Sequence, residues 1–143
     1  MILDKNTLLS DDQAVTATAI SENVIDLGAL GTTYDGVVLS RSEGTCQKVP
    51  LLVQVTADFA TLTSLTISVE ASAAAALTSP DVLFSQTIAV ADLVAGKKLA
   101  FDVLPNDIEK RFLGVRYTVT GSNATAGNIT AGIVAAVDHG YRG

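Results

Sequence analysis

His139 is the chain's one histidine and Cys46 its one cysteine, so the acid, base and nucleophile chemistry open to it is soon counted. A thiol–imidazole pair needs both groups held within hydrogen-bond reach, yet His139 follows Asp138 in a Gly-rich stretch that nothing in the neighbouring sequence fixes. A Ser–His–Asp triad needs its nucleophile on a constrained elbow; no Gly-x-Ser-x-Gly occurs, and Ser122 in Gly121-Ser122-Asn123 reads as a hairpin turn. Structural zinc takes about four ligands, more than one Cys and one His supply. For calcium the candidates are Asp11-Asp12, Asp26, Asp35 and Asp58. They lack an Asp-x-Asp-x-Asp-Gly loop, and such acids also serve simply to keep a surface solvated. Glycine-rich phosphate loops are missing too. The sequons Asn123-Ala124-Thr125 and Asn128-Ile129-Thr130 arise readily in Thr-rich turns. The expectation is a chain without catalytic residues, cofactor or metal.

The elements that would position any site are strands. Period-2 alternation places Leu65, Ile67, Val69 and Ala71 on one side of 65–72 and Thr66, Ser68, Glu70 and Ser72 on the other. The same pattern predicts strands at 113–119 (Leu113, Val115, Tyr117, Val119) and 99–103 (Leu99, Phe101, Val103). Further strands are expected at 13–20, 23–27, 51–57, 82–90 and 129–137, the last apolar or small on both faces. Turn signals separate them at the short spacing of an all-β sandwich or barrel. Helix is confined to single turns at Ala91–Ala95, ended by Gly96, and at Asn106–Arg111, with Asn106 as cap; Ala73–Ala76 is expected to be a loop.

The 143 residues suit one domain, and 48% hydrophobic against 17% charged residues excludes disorder as a description of the whole. With aromatics at 5% and no Trp, the interior must come from Ala, Val, Leu and Ile. A net charge of −6 argues against nucleic-acid binding. The N-terminus reaches charge at Asp4 and Lys5 before any signal-like apolar run, and no apolar stretch approaches the ~20 residues of a membrane span. A lone cysteine gives no intrachain disulfide, so a reducing compartment, a soluble protein and no membrane partner are expected.

The chain therefore reads as a binding or building module. An N-terminal arm, 1–12, carries Ile2, Leu3, Leu8 and Leu9 ahead of the first strand and is expected to be an assembly contact. The domain proper is 13–137, with a long loop at 28–49 holding Val37-Val38-Leu39 as a short extra strand, and a tail at 138–143. Charge is uneven: residues 1–71 hold three basic and nine acidic residues, and 72–143 hold six of each. Lys97, Lys98, Lys110 and Arg111, with Arg116, concentrate the positive charge in one stretch; the first four are the candidate docking patch for an acidic partner surface.

Several long colinear stretches resemble the capsid cement, or head decoration, proteins of tailed bacteriophages, of the small type found on certain short-tailed phages. They are Met1-Ile2-Leu3-Asp4-Lys5, residues 9–19 (LSDDQAVTATA), Asn23-Val24-Ile25-Asp26-Leu27-Gly28, residues 91–97 (ADLVAGK), residues 111–121 (RFLGVRYTVTG) and residues 125–133 (TAGNITAGI). The resemblance implies a jelly-roll-like antiparallel β-sandwich, here of about eight strands. It also implies a non-enzymatic protein made in the host cytoplasm, which assembles as a homodimer on the outer surface of the capsid and bridges major capsid protein subunits. The departures are the 28–49 loop and the tail Asp138-His139-Gly140-Tyr141-Arg142-Gly143. The alternative from another class is a receptor- or carbohydrate-binding β-sandwich of a phage tail or fibre, which the scarcity of aromatic platforms disfavours.

Overall fold

A computed structural model describes residues 3–39, 49–98, 103–105 and 108–135. Ile2, Cys46, the 138–143 tail and most of the expected 99–103 strand lie outside the described residues; within that strand, Val103 bridges Pro50. Alternating sequence becomes antiparallel sheet. The strands are β1 (Leu3–Ala14), β2 (Ala19–Ile20), β3 (Ile25–Asp26), β4 (Leu51–Ser72), β5 (Asp81–Ala89) and β6 (Phe112–Val134). They form one antiparallel sheet in the order β1-β6-β4-β5, with β2 and β3 pairing along β6. The fold class is all-β and antiparallel; among the described residues the helical content is one 3-10 turn, Val90–Asp92.

Several boundaries differ from the sequence reading. Segments 51–57 and 65–72 are the two ends of β4, and 113–119 and 129–134 are the two ends of β6. The pair runs from Leu51↔Ile133 to Ser72↔Phe112, so Gly121-Ser122-Asn123 is strand interior rather than a hairpin turn. These residues bend the pair instead of reversing it. The register shifts repeatedly between Val55 and Ser64, and Thr61 (φ 74), Gly121 (φ 92) and Gly127 (φ 136) adopt positive φ. The Thr61 hydroxyl donates to the Asn123 carbonyl (2.7 Å) and accepts from the Thr125 amide (3.1 Å). Gly127 lies flat against the Phe59 ring, where a Cβ has no room.

The bend is what encloses the core. Inward side chains follow period 2 through Val53 and Val55, then step by three from Phe59 to Leu62 and from Leu62 to Leu65, then resume through Ile67 and Val69. Two slips restore the original phase, so both halves of β4 face a single interior. That interior joins Leu51, Val55, Ile129 and Ala131 to Leu65, Ile67, Val69, Val115 and Tyr117, and is closed by Leu93, Leu104 and Ile108 from the β5–β6 connection. Each such aliphatic side chain contributes about 1.5–3 kcal/mol by leaving water.

The N-terminal segment is also different from expectation. Residues 3–14 are not an arm but strand β1, paired with β6 through three register shifts, and Leu9 is wholly buried in the chain's own core. Bulges obscure the alternation in sequence because each displaces the side chains by one face. The expected strand 13–20 is broken between the end of β1 and β2. Ala73–Ala76 is a loop of bends and a turn, and 108–111 has no helical turn; Asn106 lies outside the described residues.

Candidate functional site

Behind the β1–β3 region stands a buried polar network. Tyr117 is fully buried on β6, and its hydroxyl lies 2.8 Å from Ser10 Oγ on β1. Ser10 spends its own proton on Gln13 Oε1 (2.6 Å), so Tyr117 is the donor in that pair. Gln13 Oε1 also accepts the Glu22 amide (3.1 Å), while Gln13 Nε2 donates to the Ile20 carbonyl (2.9 Å). Desolvation pushes the Tyr117 phenol pKa well above its usual 10.0, and the Glu22 charge adds to it. The phenol is thus a structural donor.

This network and a second anchor fix the 21–25 segment opposite β1. The Ser21 amide donates to the Val115 carbonyl (2.7 Å), and the Asn23 amide donates to the Leu9 carbonyl (2.9 Å). Between the segment and β1 opens a cleft of about 760 Å³, lined by Leu3, Leu8, Val24 and Ile25 with Asp4, Lys5, Asn6, Asp11, Glu22 and Asn23. Apolar walls with a polar rim make a surface for a protein side chain or segment.

Just after β3 the chain leaves the body as a small hairpin. Thr32 bridges Val38; the Thr33 amide donates to the Val37 carbonyl (2.8 Å), the Leu39 amide to the Gly31 carbonyl (2.8 Å) and the Gly36 amide to the Thr33 carbonyl (2.9 Å). Every residue from 29 to 39 is exposed. Tyr34, at the tip, is 99% exposed, Val37 62%, Val38 60% and Leu39 50%, with Leu27 and Leu30 also in water. The extra strand expected at Val37-Val38-Leu39 is the second arm of this hairpin.

The residues singled out from sequence are distributed as follows. Leu3 and Leu8 line the cleft, whereas Leu9, on the opposite face of the strand, is core and is corrected from contact to packing residue. Lys97 and Lys98 sit along the Gln54–Val55 stretch of β4, Lys97 with Asp92 at 3.5 Å and Lys98 bridging Gln54. Lys110 and Arg111 precede β6 near the other end of β4, where Lys110 meets Asp81 at 3.7 Å. Arg111 makes a bidentate pair with Asp26 (2.6 and 2.7 Å); the hydrogen bond to Asp26, then its charge, push the guanidinium pKa up further. The four cations thus belong to two different registers of the sheet.

The acids considered for calcium are also dispersed. Asp12 is tied into the β1 bulge by Thr56, Thr130 and Asn128, Asp58 accepts the Ala95 amide (2.7 Å), Asp26 holds Arg111, Asp35 is on the hairpin and Asp11 is on the cleft rim. Among the described residues no three His, Cys, Asp or Glu are grouped as metal ligands. Sequence reasoning missed the cleft and the Arg116–Glu70 pair. Arg116 Nε reaches Glu70 Oε2 at 2.8 Å and Nη2 donates to the Leu77 carbonyl (2.8 Å), with Glu70 only 3% exposed. The available signal was two opposite charges on the polar faces of adjacent predicted strands.

Comparison with known proteins gives one family. The family model described as Bbp16 matches residues 9–133, which run from within β1 nearly to the end of β6. None of the curated proteins matches the chain.

Proposed function

The chain belongs to the Bbp16 family, a membership that points to a phage-related protein, and on that premise we propose that it is a non-enzymatic structural protein of the phage head. In this reading it binds the outer surface of the capsid, bridges neighbouring major capsid protein subunits as a cement, and does so as homodimers. The observation that carries the reading is the extent of the family match, 9–133, which takes in nearly the whole sheet, the hairpin and the 22–25 wall of the cleft. A cement works by burying surface across subunit boundaries, with many modest contacts adding through multivalency. A cleft with apolar walls beside an apolar hairpin suits that task.

The experiment is cryo-electron microscopy of the assembled particle that carries this chain. Density for the bent sheet on the outside of the shell, spanning major capsid protein boundaries, is the expected result; absence from the head overturns it. Density on a tail appendage instead supports a receptor- or carbohydrate-binding module. That second reading is favoured by one observation, the fully presented ring of Tyr34, since sugars stack on exposed aromatics.

A further inference from the structure

The hairpin and the cleft are neighbours. Val24 and Ile25 form one wall of the cleft, and Leu27, two residues on, begins the exposed apolar run that ends at Leu39. The side chains of Leu27, Leu30, Tyr34, Val37, Val38 and Leu39 are all exposed within this one short segment. Exposed apolar side chains gathered in this way mark a surface for a protein partner. A two-stranded hairpin has no core of its own and is marginal alone in water. Its apolar side chains therefore need a receiving surface, and its own cleft is not one, because these residues are exposed in the folded chain.

We propose that the receiving surface is the cleft of a second copy of this chain, with the Tyr34 tip of each hairpin seated between Leu3, Leu8, Val24 and Ile25 of its partner. Three observations point to this occupant. The cleft has apolar walls and, at about 760 Å³, room for the tip of a hairpin. Donor and acceptor surfaces lie side by side on one edge of the molecule, so a twofold axis through that edge satisfies both at once. The contact then closes as an isologous dimer rather than propagating as a filament. The charges are complementary in one place: Asp35 is the hairpin's single charge, and Lys5, the cleft's single cation, makes no salt bridge among the described residues. Asp4, Asp11 and Glu22 oppose Asp35 from the rim, so the seat requires Lys5. This inference deepens the pairing part of the cement reading but uses no contact with a shell.

The test is sedimentation equilibrium of the free 143-residue chain, with circular dichroism and thermal melting to confirm folding. The wild type is expected to dimerise. A hairpin variant, Tyr34→Ser with Val38→Ser, and a cleft variant, Val24→Asp, should each raise the dimer dissociation constant on the order of 100-fold or more. Lys5→Glu, at an exposed position, replaces Val24→Asp if that variant fails to fold. Mixing the hairpin variant with the cleft variant brings one intact hairpin to one intact cleft, so a heterodimer tighter than either variant's homodimer should form. A monomeric wild type, variants that still dimerise, or a mixture without rescue overturns the inference. Binding of wild type and variants to purified heads is scored separately. A hairpin variant that is monomeric but still decorates heads leaves the cement reading standing, and a wild-type dimer that ignores heads removes the cement reading alone. Wild-type monomers that need the hairpin to decorate heads assign it to the shell instead.

Discussion

Val69 and Val38 are the same residue type in antiparallel strand pairs, yet Val69 is wholly buried and Val38 is 60% exposed. Pairing therefore does not decide burial; what decides it is whether a second layer exists to cover the pair. In the sheet body the bend supplies that layer from the same two strands, bringing Val55 and Ile129 over the same interior as Val69 and Val115. The hairpin has a turn and backbone hydrogen bonds but no layer behind it. Apolar side chains in the body stabilise the fold, and those on the hairpin are left for something outside the chain. Substitutions should separate the two regions cleanly.

The largest effect is expected where the second layer is made. Gly127→Val places a β-branched side chain at φ 136 and against the Phe59 ring, so it combines backbone strain with overpacking at the bend. We expect a loss of about 4 kcal/mol in urea denaturation, or failure to fold. A loss near zero would mean that the bend yields, and the body would then differ less from the hairpin than the packing suggests. Next is Arg116→Ala. It strands the Glu70 carboxylate, 3% exposed, with only the Ser68 hydroxyl (2.8 Å) as a side-chain donor, and should cost about 3 kcal/mol. Replacing both Glu70 and Arg116 with leucine should be much milder, because no buried charge is then left alone.

Tyr117→Phe tests the network that anchors the cleft. It removes one buried donor while Ser10 keeps Gln13, so a loss of about 1–2 kcal/mol is expected. The pH dependence follows from the raised phenol pKa. Above the unfolded value of 10.0 the unfolded chain releases this proton while the folded chain holds it, so wild-type stability falls as pH rises through that region. The phenylalanine variant lacks that loss. The stability gap between the two proteins should therefore be constant below about pH 10 and narrow above it; a gap that widens with alkali would contradict the buried phenol.

The sheet was legible in the sequence where one face meets water and the other the core. The run Leu65 to Ser72 announced itself because Thr66, Ser68, Glu70 and Ser72 alternate with four apolar residues. It was illegible where bulges break the period. Nothing in Leu3 to Ala14 alternates, since three register shifts turn successive side chains onto different faces, and an edge strand was read as an arm. Gly121-Ser122-Asn123 carries the composition of a reversing turn, and only the pairing of Leu62 with Gly121 and Ala60 with Ala126 shows a bend. Of the site, Leu3 and Leu8 were visible as unclaimed apolar residues, and Val37-Val38-Leu39 as a short strand. The cleft was not, because its walls are 3–8 and 22–25, joined by a network through Tyr117 more than ninety positions away.

The smallest effect on stability belongs to the hairpin, and it is the sharpest form of the comparison. Tyr34→Ser, Val37→Ser and Val38→Ser each remove an apolar side chain that stands mostly in water, so folding exchanges little at these positions. Measured on the monomer, at protein concentrations well below the dimer dissociation constant, each is expected to change the unfolding free energy by no more than about 0.5 kcal/mol. A valine-to-serine change at Val69, wholly buried, should by contrast cost several times as much, about 2–4 kcal/mol, by losing apolar burial and burying a hydroxyl. If in the dilute monomer the hairpin serines prove as costly as the core serine, the hairpin is packed on its own chain and cannot be a surface held out for a partner. If they leave the melting transition in place, the exposed apolar side chains do no work in folding. Their place in the chain is then explained by association.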